Sequence, residues 1–136
     1  MKAALTAGAC VLALAGCGER IRAPDLFIVY RSGTIAGASL TLLVNEEGGV
    51  HCNGVSARAL SDPQLLQARA LQEELKDPAS SNLALPPARG SVFHYHVRDQ
   101  DGTVTFNDNS PHQPAVLHRL ALFVLQAAQR NCALRL

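Results

Sequence analysis

The chain has 136 residues, enough for one ordinary domain with a genuine core and too few to call for a second. Twelve basic side chains against eleven acidic ones leave a formal charge of +1, which excludes strong electrostatic attraction to nucleic acid or to anionic lipid.

The first sixteen residues read as a leader. Lys2 supplies a positive start, Ala3 to Ala13 is apolar except at Thr6 and Gly8, and small residues precede Cys17. The segment is too short to cross a bilayer, which takes about 20 apolar residues. Leu14-Ala15-Gly16-Cys17 resembles a bacterial lipobox. That resemblance implies cleavage before Cys17, a diacylglyceryl group on its sulfur, and a membrane-anchored protein of the cell envelope facing the periplasm or the exterior. Lipid chains add about 0.8 kcal/mol per buried methylene, so two or three hold a small protein firmly. The expected organisation is a signal peptide over 1–16, a lipidated tether over 17–24 and one domain over 25–136. Beyond Cys17 the arm Gly18 to Pro24 reaches at most about 25 Å.

Leu26 to Arg31 holds Phe27, Ile28, Val29 and Tyr30, a β-branched and aromatic run that Ser32-Gly33 ends, and it predicts the first strand. Ser39 to Val44 alternates, with Leu40, Leu42 and Val44 on one face, and predicts the second. The turn residues Asn45 to Gly49 return the chain into a short third strand over Val50 to Asn53. Ser61-Asp62-Pro63-Gln64 is a helix start, and Leu65, Ala68, Leu71 and Leu75 keep helical spacing until Asp77-Pro78. Pro78 to Gly90 lacks periodicity and predicts an exposed loop. Phe93, Tyr95 and Val97 alternate with His94, His96 and Arg98, then Asp99 to Gly102 turns into a strand carrying Val104 and Phe106. Pro114 to Cys132 closes the chain as a helix with an apolar stripe through Leu117, Leu120, Phe123 and Ala127. The order β-β-β-α-β-β-α predicts an α+β fold: an antiparallel sheet of four to five strands with two helices on one face.

Cys10 leaves with the leader and Cys17 takes the lipid, so Cys52 and Cys132 remain, and outside the cytoplasm two cysteines pair more often than not. Their bridge would staple the last helix to the third strand and, by chain entropy, stabilise by up to about 4.5 kcal/mol. The alternative, a reactive Cys52 thiol beside His51, finds no basic cluster or helix start next to it.

Catalytic motifs are missing: no G-x-S-x-G, H-E-x-x-H, P-loop or G-x-G-x-x-G occurs, and carboxylates such as Asp99, Asp101, Glu46 and Glu47 sit in turns. The reading is therefore not an enzyme, and no cofactor is implied. His94 and His96 would put two imidazoles on one strand face about 7 Å apart, a metal alternative to which His51, His112 or His118 would have to add a third ligand. A binding module remains. The run Phe27 to Gly37, a strand ending in Arg31-x-Gly33-x-x-x-Gly37, resembles the opening of emfourin-type proteins. The helix Leu65 to Leu75, the proline-bearing loop, Phe93-x-Tyr95-x-Val97, the Asp101-Gly102 turn and the helix Pro114 to Leu125 follow in that family's order. The resemblance implies a proteinaceous inhibitor of thermolysin-like zinc metalloproteases. The residues themselves nominate Arg31, Ser32, Gly33, Thr34 and Ile35 for partner contact, because Ile35 is an apolar side chain on a glycine-bounded turn. Ile35 folded back as a core plug is the competing reading. Metal or small-ligand binding through the histidine face, and a purely structural envelope role, are the alternative functions.

Overall fold

The structure is a computed structural model and describes residues 24–134; the expected leader, the expected lipid site Cys17 and the expected tether as far as Ala23 lie outside the described residues. Strand β1 is Asp25–Gly33, β2 Leu40–Asn45, β3 Val50–Cys52 and β4 Val55–Ser56; helix α1 is Asp62–Ser80; β5 Phe93–Arg98 and β6 Thr103–Asn107 follow, then α2 Ala115–Arg130. The strands form one antiparallel sheet in the order β4-β3-β2-β1-β5-β6. This is the α+β class expected from the sequence, with six strands rather than four or five.

Alternation sets the two faces of the sheet. Phe27, Val29, Leu40, Leu42, Val44, Tyr95, Val97, Val104 and Phe106 point inward and join the apolar stripes of the helices. In α1 that stripe is Ala68, Leu71, Leu75 and Ala79. In α2 it centres on Leu117, Leu120, Phe123 and Val124, and the Phe123 ring meets Phe27 edge-on at 5.9 Å. Truncating a ring so fully enclosed typically costs about 3–5 kcal/mol. One irregularity in the pairing, between Asp25 and Phe27, lets both Leu26 and Phe27 be buried. The other face carries Ile28, Tyr30, Thr41, Leu43, His51, His96 and Thr105, and among the described residues no helix packs over it.

Three departures from the sequence expectation have local causes. Strand β4 was not expected, and the third strand stops at Cys52 rather than Asn53. Asn53 and Gly54 have φ of 52° and 82°, the pair of positive values that a tight two-residue hairpin needs, so Cys52 is paired with Val55. Helix α1 runs past Pro78, which lies in its last turn; the amides of Ser81, Asn82 and Leu83 then cap the carbonyls of Asp77, Ala79 and Pro78. The segment expected as an exposed loop is partly fastened: Thr105 N–H donates to the Leu83 carbonyl and Leu85 N–H to the Thr105 carbonyl, both at 2.8 Å. That parallel bridge covers the free edge of β6 and seats Leu83 and Leu85 against the core.

Cys52 and Cys132 are bonded, with Cα atoms 5.8 Å apart, so the end of α2 is stapled to β3. Asn131, only 7% exposed, reinforces the same corner. Its Nδ2 donates to the carbonyls of Arg58 and Ala59 at 3.0 and 3.1 Å, and its Oδ1 accepts from Gln64 Nε2 at 3.0 Å. A buried amide with its side-chain groups engaged in this way fixes three segments to one another.

Candidate functional site

The strand directions divide the molecule into two ends. The loops 34–39, 86–92 and 108–114 gather where β1 finishes and β5 begins; the turns 46–49 and 99–102 lie where β1 begins and β5 finishes. The residues nominated for contact are at the loop end.

Arg31, nominated for contact, is turned into the core. It follows Phe27 and Val29 on the inward face and is 3% exposed. Its Nε donates to the Ala38 carbonyl at 2.8 Å, its Nη2 donates to the Gly37 carbonyl at 3.4 Å, and the guanidinium lies 5.2 Å from the centre of the Phe93 ring. Burial lowers its pKa, with the nearby Tyr95 acting in the opposite sense, and an arginine so placed still keeps its charge. The same burial raises the Tyr95 hydroxyl, which Arg31 pulls down and Asp108 pushes up. A guanidinium held among aromatics without a carboxylate is an expensive way to fill space, so its value here is geometric: it hooks the returning limb of the loop.

The other limb is fixed from outside. Thr34 N–H donates to the Val92 carbonyl at 3.1 Å, and Ala38 N–H closes the tip on the Ile35 carbonyl at 3.2 Å. Gly33 permits this approach, because a Cβ there would strike the Val92 carbonyl and come within 2.9 Å of Ala38 Cβ. Between the two fixings Ser32, Gly33, Thr34, Ile35 and Ala36 are exposed, and Ile35 is 48% exposed rather than a core plug.

Val92 is held in turn by a polar network. Asp108 accepts the Val92 N–H on both carboxylate oxygens at 3.2 Å and the Ser91 hydroxyl at 2.9 Å. Asn107 Nδ2 donates to the Ser91 hydroxyl at 2.8 Å, and Gln113 Nε2 donates to the Asn107 carbonyl at 2.7 Å. Asn109 ties the third loop on by accepting from Ala88 N–H at 3.2 Å and donating to the Arg89 carbonyl at 3.1 Å. The three loops are thus sewn into one platform. Its anchors, Arg31, Ser91, Asn107 and Asp108, were not singled out as anchors by sequence reasoning; the one available signal was that Arg31 falls in step with Phe27 and Val29.

The histidines are placed otherwise. His94 Nδ1 is 3.2 Å from Asn107 Oδ1, and His96 Nδ1 is 3.1 Å from Thr105 Oγ1, with the His96 ring 5.9 Å from Tyr30. His51 lies in the row of Leu43, Ile28 and Arg98, three strand spacings or about 14 Å from Arg98 and farther still from His96 and His94. Among the described residues no three His, Cys, Asp or Glu side chains gather to hold a metal ion.

At the turn end, depressions of about 290 and 420 Å³ are lined respectively by Asp25, Arg98 and Asp99, and by Arg58, Arg130 and Asn131. Asp99 Oδ1 accepts the amides of Asp101 and Gly102 at 2.8 and 3.0 Å, while Oδ2 is buried without a protein partner. Burial raises the Asp99 carboxyl, and those two amide bonds partly oppose the rise. This is the chemistry of a turn anchor. No family model, curated protein or solved structure matches the chain.

Proposed function

We propose that this chain is a lipid-anchored protein of the cell envelope whose loop end binds a protein partner, and that the partner is a thermolysin-like zinc metalloprotease whose cleft it occludes. The observation that carries the binding reading is the loop Ser32 to Gly37, exposed at its tip and fixed on both limbs, from within by Arg31 and from outside by Val92. Binding costs free energy for every loop and side chain it must order, so a segment ordered beforehand by internal bonds loses less on docking. An apolar tip among small, uncharged neighbours offers a single side chain to a pocket with little to obstruct it.

Two further features support the fuller reading. The lipobox-like run ending at Cys17 supports the anchor. The emfourin-like order of strand, glycine loop, helix and hairpin supports the metalloprotease as partner.

The test is a titration of a thermolysin-like protease with the disulfide-intact chain beginning at Glu19, with the reduced chain as control. Saturable, stoichiometric inhibition is expected from the intact chain. An intact chain that leaves the protease fully active at micromolar concentration would remove the inhibitor role. Lipidation is checked separately by the mass of the chain recovered from membranes: the diacylglyceryl adduct should sit on Cys17, and Cys17→Ala should abolish it.

A further inference from the structure

We propose that the depression between Arg58 and Arg130 is a binding site for a phosphomonoester group. It lies at the turn end, away from the Ser32 to Gly37 loop, and the proposal is independent of the partner reading above.

Two like charges are pinned side by side there. Arg58 lies in the connection from β4 to α1 and Arg130 in the last turn of α2, and both are exposed. The buried Asn131, which follows Arg130, is bonded to Arg58 twice: the Arg58 amide donates to the Asn131 carbonyl at 3.3 Å, and Asn131 Nδ2 donates to the Arg58 carbonyl at 3.0 Å. One position further on, Cys132 is bonded to Cys52. Cations held together repel unless something negative lies between them. Among the described residues the ion pairs are Lys76 with Glu73 and Arg119 with Glu74, so neither arginine has a carboxylate partner. The depression of about 420 Å³ that both line has no acidic residue in its wall, and Asp62, the nearest carboxylate in sequence, lies outside the lining.

The polar groups of that wall are engaged with one another. Ser61 N–H and Oγ both donate to Gln64 Oε1, at 3.0 and 3.2 Å, and Gln64 Nε2 donates to Asn131 Oδ1 at 3.0 Å. The acceptors are thus occupied, which suits the wall to a ligand group that only accepts. A single guanidinium fork satisfies both oxygens of a carboxylate, whereas a phosphomonoester brings three terminal oxygens and nearly twice the charge, enough for two arginines. Helix α1 starts at the same wall and its positive end adds to their field. The end of α2, which would oppose it, has its carbonyls engaged: that of Ala127 accepts the amides of Asn131 and Cys132, and that of Ala128 accepts the amide of Leu134. A volume of this size is usual for small-ligand sites, and Ala59 and Leu60 offer the carrier of the phosphate an apolar surface.

The test uses the full chain, disulfide intact, in dodecylmaltoside micelles, with the NMR signals of the arginine Nε–H groups as the readout. Titration with phenyl phosphate should shift Arg58 and Arg130 saturably at submillimolar concentration and leave Arg89, exposed at the loop end, in place. A second arm adds dioleoylphosphatidate to the micelles. Saturable shifts there alone name a lipid headgroup as the carrier, shifts with phenyl phosphate name a dissolved one, and either upholds the site. No saturable shift in both arms, or shifts shared equally by Arg89, would overturn it. Benzoate, a carboxylate on the same ring, should bind about tenfold more weakly than phenyl phosphate, and equal affinity would overturn the choice of phosphate. Arg58→Gln and Arg130→Gln should each weaken binding about tenfold. Arg130→Lys keeps a positive charge at the end of α2 but loses the fork, so the fold should stay as stable while binding weakens several-fold. Affinity unchanged by both substitutions at position 130 would give Arg130 to the helix terminus alone and overturn the proposal.

Discussion

Two connections close opposite ends of β2, and they are made to hold by different means. The turn at its far end, Asn45 to Gly49, is shaped by a side chain of its own: Asn45 Oδ1 accepts the amides of Glu47 and Gly49 at 3.1 and 2.7 Å, and the backbone closes from Gly48 N–H to the Asn45 carbonyl at 3.0 Å, while Pro24, Leu60 and Arg69 bond its backbone from outside. The loop at its near end depends on residues from elsewhere in the fold, Arg31 beneath it and Val92 beside it, with Val92 itself placed by Asp108. A short turn needs only local chemistry to reverse the chain. A loop secured by buried and long-range side chains has a fixed shape, and fixed shape on an exposed segment is what recognition uses. The contrast places shape-holding side chains at the loop end and the global fastening elsewhere, in the disulfide corner.

The largest effect should come from that corner. Replacing Cys52 and Cys132 together by serine should lower stability by as much as about 4 kcal/mol, since the bridge spans a sequence separation of 80. Where the variant is still folded, amide exchange at Thr34 and Ala38 should match the parent. Loss of their protection ahead of global unfolding would break the division between the two regions.

Gly33→Ala comes next. Its methyl meets a backbone carbonyl that Asp108 holds in place, so about 1–3 kcal/mol of strain is expected, with exchange accelerating at Thr34. Arg31→Met should follow with a smaller change in melting temperature, because removing a buried charge offsets part of the lost hydrogen bonding; about 1 kcal/mol in either direction is expected. The readout that matters is local. Ala38 and Thr34 should exchange faster while Val29 and Leu42 in the sheet do not. Uniform exchange across the sheet and the loop would make Arg31 an ordinary core residue.

The smallest effect belongs to the turn end. Burial holds the Asp99 carboxyl above the ordinary value of about 3.9, so the native chain binds more proton than the unfolded one between that value and the raised native one. Stability therefore falls as pH climbs through that window and is fully reduced above it. Asp99→Asn keeps an oxygen for the Asp101 and Gly102 amides and should remove the fall, leaving the variant equal to the parent or slightly more stable at neutral pH. Melting curves from pH 3 to 7 for both chains decide this, and a variant less stable at pH 7 would contradict it.

Most of the fold was legible because its signals are local. A β-branched and aromatic run marked β1, alternation marked β2, β5 and β6, helical spacing marked both helices, and the count of cysteines outside the expected leader pointed to the Cys52–Cys132 pair. The Asn53-Gly54 hairpin was also written in the sequence, but β4 has only two residues, too few to show a period. The bridge from Leu83 and Leu85 to Thr105 was not legible, since it depends on which strand edge is free once the sheet is assembled. The candidate site divides the same way. Glycines marked the loop, whereas the Asp108, Asn107 and Ser91 network joins residues 16 or 17 apart that meet only through the pairing of β5 with β6. Arg31 was grouped with the loop that follows it, although in step with Phe27 and Val29 it points inward.

The account's central claim, that the Ser32 to Gly37 loop is the contact surface, is tested most directly by comparing two equally exposed apolar side chains in the protease titration. Ile35 on the loop and Leu122 on α2 are 48% and 50% exposed, so changing either to aspartate should leave the fold intact. The account predicts that Ile35→Asp abolishes inhibition while Leu122→Asp inhibits like the parent. Inhibition that survives Ile35→Asp, or that is lost with Leu122→Asp instead, would contradict it.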